Sequence, residues 1–116
     1  MLDFDNFDQE IVAKKRLAAI FFTAEWCRPS KLQQAILPEL RNEFAPQVLI
    51  ELIDVDQHEK LAERFAARTL PTTVLYAEGE IVEVLPGYQT LDFMQSYLRH
   101  LIKHVETLKA AEKPPE

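Results

Sequence analysis

The stretch Phe22-Thr23-Ala24-Glu25-Trp26-Cys27-Arg28-Pro29-Ser30-Lys31 joins two different sequence patterns. Before it, Leu17-Ala18-Ala19-Ile20-Phe21-Phe22 is apolar without alternation, which predicts a strand covered on both faces. After it, a long helix is predicted over residues 29–44, and Pro29 suits its first turn, where a missing N–H costs nothing. Cys27 therefore stands at or just before the first helical residue, facing the unsatisfied amides and the positive end of the helix dipole. That position favours a thiolate, and Arg28 adds a positive charge beside it. Ser30 lies one turn further on, and its hydroxyl is expected to donate to the sulfur. Trp26 is expected to shield one side of the thiol. The competing role for Cys27 is that of a small hydrophobe packed in the core.

Working outward, residues 7–15 are predicted as a helix with Asn6 or Asp5 as its cap and Phe7, Ile11 and Val12 on one face. Residues 48–55 form a second apolar strand, and 58–67 a second crossover helix. Thr72-Thr73-Val74-Leu75-Tyr76 and Ile81-Val82-Glu83-Val84-Leu85 flank a hairpin turn that contains Gly79. A last helix is predicted over 91–111, and residues 112–116 as a frayed tail. The order α-β-α-β-α-β-β-α predicts one three-layer α/β domain, with a parallel core from two crossovers and antiparallel strands added by the hairpin.

Composition narrows the functional classes. The chain has 116 residues, room for one domain. Its 13 Lys and Arg against 19 Asp and Glu leave a net charge of −6, which disfavours nucleic acid and anionic membrane as partners. No apolar run approaches the roughly 18 residues of a membrane span. The opening residues lack the pattern of a signal peptide, so a cytoplasmic location is expected. A single cysteine excludes an internal disulfide and a cysteine-built zinc site. His100 and His104 share a helix face but have no third ligand in view, so they are read as a solvated face and no metal or other cofactor is expected. Among Glu51, Asp54, Asp56 and Glu59, Asp56 is expected to cap the following helix. His58 could serve Cys27 as a base, although nothing in the sequence requires them to meet.

The segment Ala24-Glu25-Trp26-Cys27-x-Pro29-x-Lys31 resembles the active-site segment of the thioredoxin family. The resemblance covers residues 7–102 and includes Val55-Asp56-Gln57, Leu70-Pro71-Thr72, Gly79 and Gly87. It implies a thioredoxin-like fold, a central mixed sheet with helices on both faces. It also implies that Cys27 is the nucleophile, that Leu70-Pro71 is a cis-proline loop, and that Trp26, Arg28, Pro29, Leu70, Pro71 and Gly87 form the surface for a client backbone. Three departures qualify it. Ser30 stands where the family has its second, resolving cysteine. Phe21 and Leu52 replace a buried aspartate and its lysine partner together, which avoids leaving one buried charge unpaired. Ala35 stands in place of the family's kinking proline, and Pro38 comes three residues later, so any kink is expected to move by about one turn.

The resemblance implies thiol–disulfide chemistry on protein or glutathione thiols, with Cys27 and Ser30 as the catalytic pair and no internal resolving thiol. Ser30 is either native or an engineered replacement of cysteine. The alternative is a non-catalytic peptide-binding or assembly module on the same fold. Residues 1–104 are read as the domain and 105–116 as a helical extension with a tail. Val105 and Leu108 continue the apolar stripe of the last helix past that boundary and predict a contact of their own.

Overall fold

Two helical layers account for the unbroken apolar run of strand β1 (Leu17–Thr23). In the computed structural model, which describes residues 5–64 and 69–112, its side chains alternate between two cores. Ala18, Ile20 and Phe22 pack with Phe7, Ile11, Ile53, Leu61, Val74 and Tyr76 on one face. Ala19 and Phe21 pack with Leu37, Leu40, Phe44, Leu75, Met94 and Leu98 on the other. A strand with helices on both sides has no solvent face, so alternation of polar and apolar residues is lost.

The remaining elements are a short π-helix (Asp8–Ala13), α1 (Arg28–Phe44), β2 (Val48–Asp54), α2 (Glu59–Arg64), β3 (Thr72–Ala77), β4 (Glu80–Pro86) and α3 (Leu91–Glu112). They build a four-stranded sheet in the order β2-β1-β3-β4. Only the β1–β2 pair is parallel, whereas β3 runs antiparallel to both β1 and β4. The expected parallel core is thus a single crossover. The connection after β2 returns to the sheet end it left, because Thr23 is level with Asp54 while Phe22 and Pro86 are level with Thr72. The ends of β1, β2 and β4 and the start of β3 therefore meet at one edge of the domain.

The first helix also differs from expectation. It is a π-helix whose N-cap is Phe7 with no side-chain cap, rather than an α-helix capped by Asn6 or Asp5. Phe7 is fully buried edge-on against Tyr76, with ring centroids 5.7 Å apart, and the Arg64 guanidinium lies 5.4 Å from its ring. Packing of that one ring sets how the chain enters the helix, and it outweighs the modest gain from a cap. Of the expected helix 58–67, α2 covers Glu59–Arg64, and residues 65–67 lie outside the described residues. Gly79 turns the β3–β4 hairpin at φ +83°, and a Cβ there would come within 3.0 Å of the Val12 carbonyl oxygen. Pro38 sits inside α1 on its exposed side.

Thr90 caps α3, its hydroxyl accepting the Phe93 N–H at 3.1 Å. It runs unbroken past residue 104 to the hairpin turn. There Val105, only 4% exposed, packs with Leu101 and Ala77, and Lys109 pairs with Glu78 at 3.3 Å. Val105 is therefore covered by the protein's own hairpin, while Leu108 remains 45% exposed. Phe21 and Leu52 are partners across the parallel ladder in the α1/α3 layer, so the two apolar replacements meet each other. Among the described residues no helix is long and apolar enough to cross a membrane.

Candidate functional site around Cys27

At the edge where the strand ends gather, β1 hands the chain to α1 through a tight turn closed by the Cys27 N–H on the Ala24 carbonyl at 3.1 Å. Cys27 is the N-cap of α1, with extended backbone, and its carbonyl accepts the Lys31 N–H at 3.2 Å. Pro29 falls in the first turn, where it gives up no helical bond. The thiol is partly exposed at the N-terminal end of that helix. Its Sγ lies 3.6 Å from the Leu70 carbonyl oxygen. Arg28 and Pro29 are exposed beside it.

The Leu70–Pro71 peptide is cis. The Pro71 carbonyl accepts the Gly87 N–H at 2.7 Å, which brings the end of β4 against the loop before β3. Gly87 has φ +84°, a conformation that strains any L side chain, although the space beside it is open. The structure thus brings Cys27, Leu70, Pro71 and Gly87 together from three separate segments.

Ser30 does not take the expected role. It is fully buried on the interior stripe of α1, and its Oγ accepts the Ala24 N–H at 3.2 Å. Among the described residues no hydrogen bond joins it to Cys27. The hydroxyl instead ties the first turn of α1 to the end of β1, satisfying an amide that burial would otherwise leave unpaired. Trp26 is no cover over the thiol either. The residue is 71% exposed, and its Nε1–H donates to Asp56 Oδ2 at 2.8 Å. Asp56 is therefore an anchor for Trp26 rather than a helix cap. The turn after β2 is held instead by Asp54, whose Oδ1 accepts the N–H groups of Asp56 and Gln57 at 2.8 and 3.3 Å.

His58 lines a cleft of about 450 Å³ with Asp56, Glu59 and Lys60, and Cys27 is not among the residues around it. His100 and His104 are exposed on α3 and line a different cleft, with Phe93, Ser96, Tyr97 and Leu101. Among the described residues no group of three His, Cys, Asp or Glu could hold a metal.

One residue escaped the sequence reading. Gln33 is fully buried, and its side-chain amide donates to the Gln89 carbonyl at 3.0 Å and accepts the Gln89 N–H at 2.7 Å. The available signal was its place in the interior stripe Ser30, Gln33, Leu37, Leu40, Phe44, where a long polar side chain needs a partner.

Comparison with known proteins follows this geometry. A family model described as Thioredoxin matches residues 1–100. The thioredoxin of Staphylococcus haemolyticus (strain JCSC1435) is 31% identical over 97 residues, covering 83% of this chain and 91% of that protein. The thioredoxin of Buchnera aphidicola subsp. Baizongia pistaciae is 29% identical over 97 residues, covering 80% and 89%. A crystal structure of thioredoxin from Trypanosoma brucei brucei shares the fold with a TM-score of 0.76 at 24% identity, covering 89% of this chain and 88% of that one.

Proposed function

The chain belongs to the thioredoxin family, and from that premise we propose that it exchanges thiols and disulfides with protein clients through Cys27 alone. The observation that supports this most directly is the placing of Sγ at the N-cap of α1, 3.6 Å from the Leu70 carbonyl and beside the Pro71–Gly87 contact. Cys27 as thiolate attacks one sulfur of a client disulfide. A new S–S bond forms between Cys27 and the client, the client's own S–S bond breaks, and the departing client thiolate takes up a proton from solvent. Trp26, Arg28, Pro29, Leu70, Pro71 and Gly87 would form the surface for the client backbone, a reading supported by the Cys27–Leu70 and Pro71–Gly87 contacts.

The reaction stops there without help. A hydroxyl is not appreciably ionised near neutral pH, and that of Ser30 is buried against the Ala24 amide, so nothing within the chain attacks the mixed disulfide. An external thiol such as glutathione attacks the Cys27 sulfur, forming a Cys27–glutathione disulfide as the Cys27–client bond breaks and the client leaves as thiolate. A second such thiol then frees Cys27 and leaves as the glutathione disulfide, so the two thiols supply the electrons. A cytoplasmic setting, where such thiols are abundant, belongs to this proposal. Ser30's engagement with Ala24 also favours a second reading, a peptide-binding module that keeps the groove and has no turnover.

Incubation with a disulfide-bonded peptide at neutral pH, followed by mass spectrometry, tests the first reading. The expected product is one peptide on Cys27 that persists until a thiol is added. In a Ser30→Cys variant the adduct should resolve by itself. Failure of the parent protein to form any adduct leaves the binding module.

A further inference from the structure

We infer that Gln33 is a positioning residue for the client groove, acting through Gln89 and Gly87 on the Leu70–Pro71 wall beside Cys27. This rests on the reading of Cys27 as the exchanging thiol. A fully buried primary amide must have both polar atoms satisfied, or it costs about 1–3 kcal/mol for each one left unpaired. Gln33 satisfies both on a single residue: Nε2–H donates to the Gln89 carbonyl at 3.0 Å and Oε1 accepts the Gln89 N–H at 2.7 Å. That reciprocal pair copies the exchange between opposed residues of an antiparallel ladder, so the segment after β4 is docked on α1 as though the helix were a strand.

The bonds continue to the thiol. Gln89 Nε2–H donates to the carbonyls of Gly87 and Pro86 at 3.2 and 3.3 Å. The Gly87 N–H donates to Pro71 at 2.7 Å, and the neighbouring Leu70 carbonyl lies 3.6 Å from Sγ. Cys27 caps the helix that carries Gln33, so the chain of contacts closes into a ring. Its function is to hold the Gly87 loop and the Leu70–Pro71 loop at a set distance from the thiol before any client arrives, which lowers the ordering cost of binding. Among the described residues no other hydrogen bond ties residues 87–89 to α1.

Both bonds need a donor and an acceptor on one side-chain tip. A carboxylate would set an oxygen against the Gln89 carbonyl, and a thioether would fill the volume and make neither bond. Gln33→Met therefore separates packing from hydrogen bonding.

The test uses the full chain, parent and Gln33→Met, with two readouts. The first is amide hydrogen exchange at Gly87, expected to quicken about tenfold relative to the central strands when the clamp is lost. The second is the ratio of mixed-disulfide rates with a disulfide-bonded peptide and with a small aromatic disulfide that needs no groove, expected to fall about tenfold. Gln89→Ala, which keeps the main-chain clamp and removes only the side-chain links to Pro86 and Gly87, should move both readouts in the same direction by about threefold. It also decides the matter if Gln33→Met does not fold. A purely structural Gln33 would lower the unfolding midpoint and leave the rate ratio and Gly87 exchange as in the parent, and that result overturns the inference. A parent protein that reacts with neither disulfide refutes the thiol-exchange reading instead, and Gly87 exchange still decides whether the clamp exists.

Discussion

One carboxylate placed between β1 and the helices α1 and α3 measures how closed that layer is. Phe21 is fully buried with Leu37, Leu75, Met94 and Leu98 and is the ladder partner of Leu52. Phe21→Asp forfeits the ring, which costs about 3–5 kcal/mol where a cavity remains. A neutral carboxyl with no partner adds about 1–3 kcal/mol. At pH 7 the acid must also be held protonated or be ionised in an apolar layer, and holding it protonated costs about 4 kcal/mol relative to a free value near 3.9. Since a domain has only about 5–15 kcal/mol in total, the variant should be unfolded or nearly so at neutral pH. Burial raises the folded-state value above the unfolded one, so this stability is fully present below about pH 4 and is lost as the pH rises. Urea unfolding followed by far-ultraviolet circular dichroism should show the variant gaining on its parent between about pH 7 and about pH 4.5. Adding Leu52→Lys supplies the counter-charge across the ladder and should recover about 1–3 kcal/mol at pH 7 while flattening the pH dependence. A loss below about 1 kcal/mol for Phe21→Asp at pH 7 would refute the reasoning, because water or a polar partner would then have to reach that site.

Three further outcomes follow from individual contacts. Ser30→Ala leaves the Ala24 N–H without its acceptor and should cost about 1–3 kcal/mol in chemical denaturation, far more than an exposed serine would. Val105→Asp puts a charge between Ala77 and Leu101 and should cost about 2–4 kcal/mol, while Leu108→Asp should stay within about 0.5 kcal/mol of the parent; equal effects would contradict the packing described. Burial raises the pKa of Tyr76 and of Tyr97, the latter helped by Glu83, so thermal stability should decline as pH rises beyond about 10, tracked with tyrosinate absorbance.

Much of the fold was legible because its signals are local. The unbroken apolar run of β1, the proline two residues after Cys27 and the glycine between two β-rich segments each report on a few neighbouring residues. The same holds for the place of Cys27 at a helix start. Ser30 was misread for a related reason: spacing along a helix says which residues are one turn apart, but not that this side chain faces inward toward the Ala24 amide. The π-helical opening was also out of reach, since the burial of Phe7 against Tyr76 joins residues far apart in the chain.

The sequence by itself determined the alternation of elements, the covered central strand and a lone thiol at a strand-to-helix junction, because periodicity and turn chemistry are properties of adjacent residues. Only the tertiary structure decided what surrounds that thiol. Trp26 finds Asp56, Gln33 finds Gln89, and Cys27 finds Leu70 because the sheet order and register bring four strand ends to one edge. Each of these bonds joins segments at least 30 residues apart, and a hydrogen bond's partner is selected by where the fold places it, which no local pattern records.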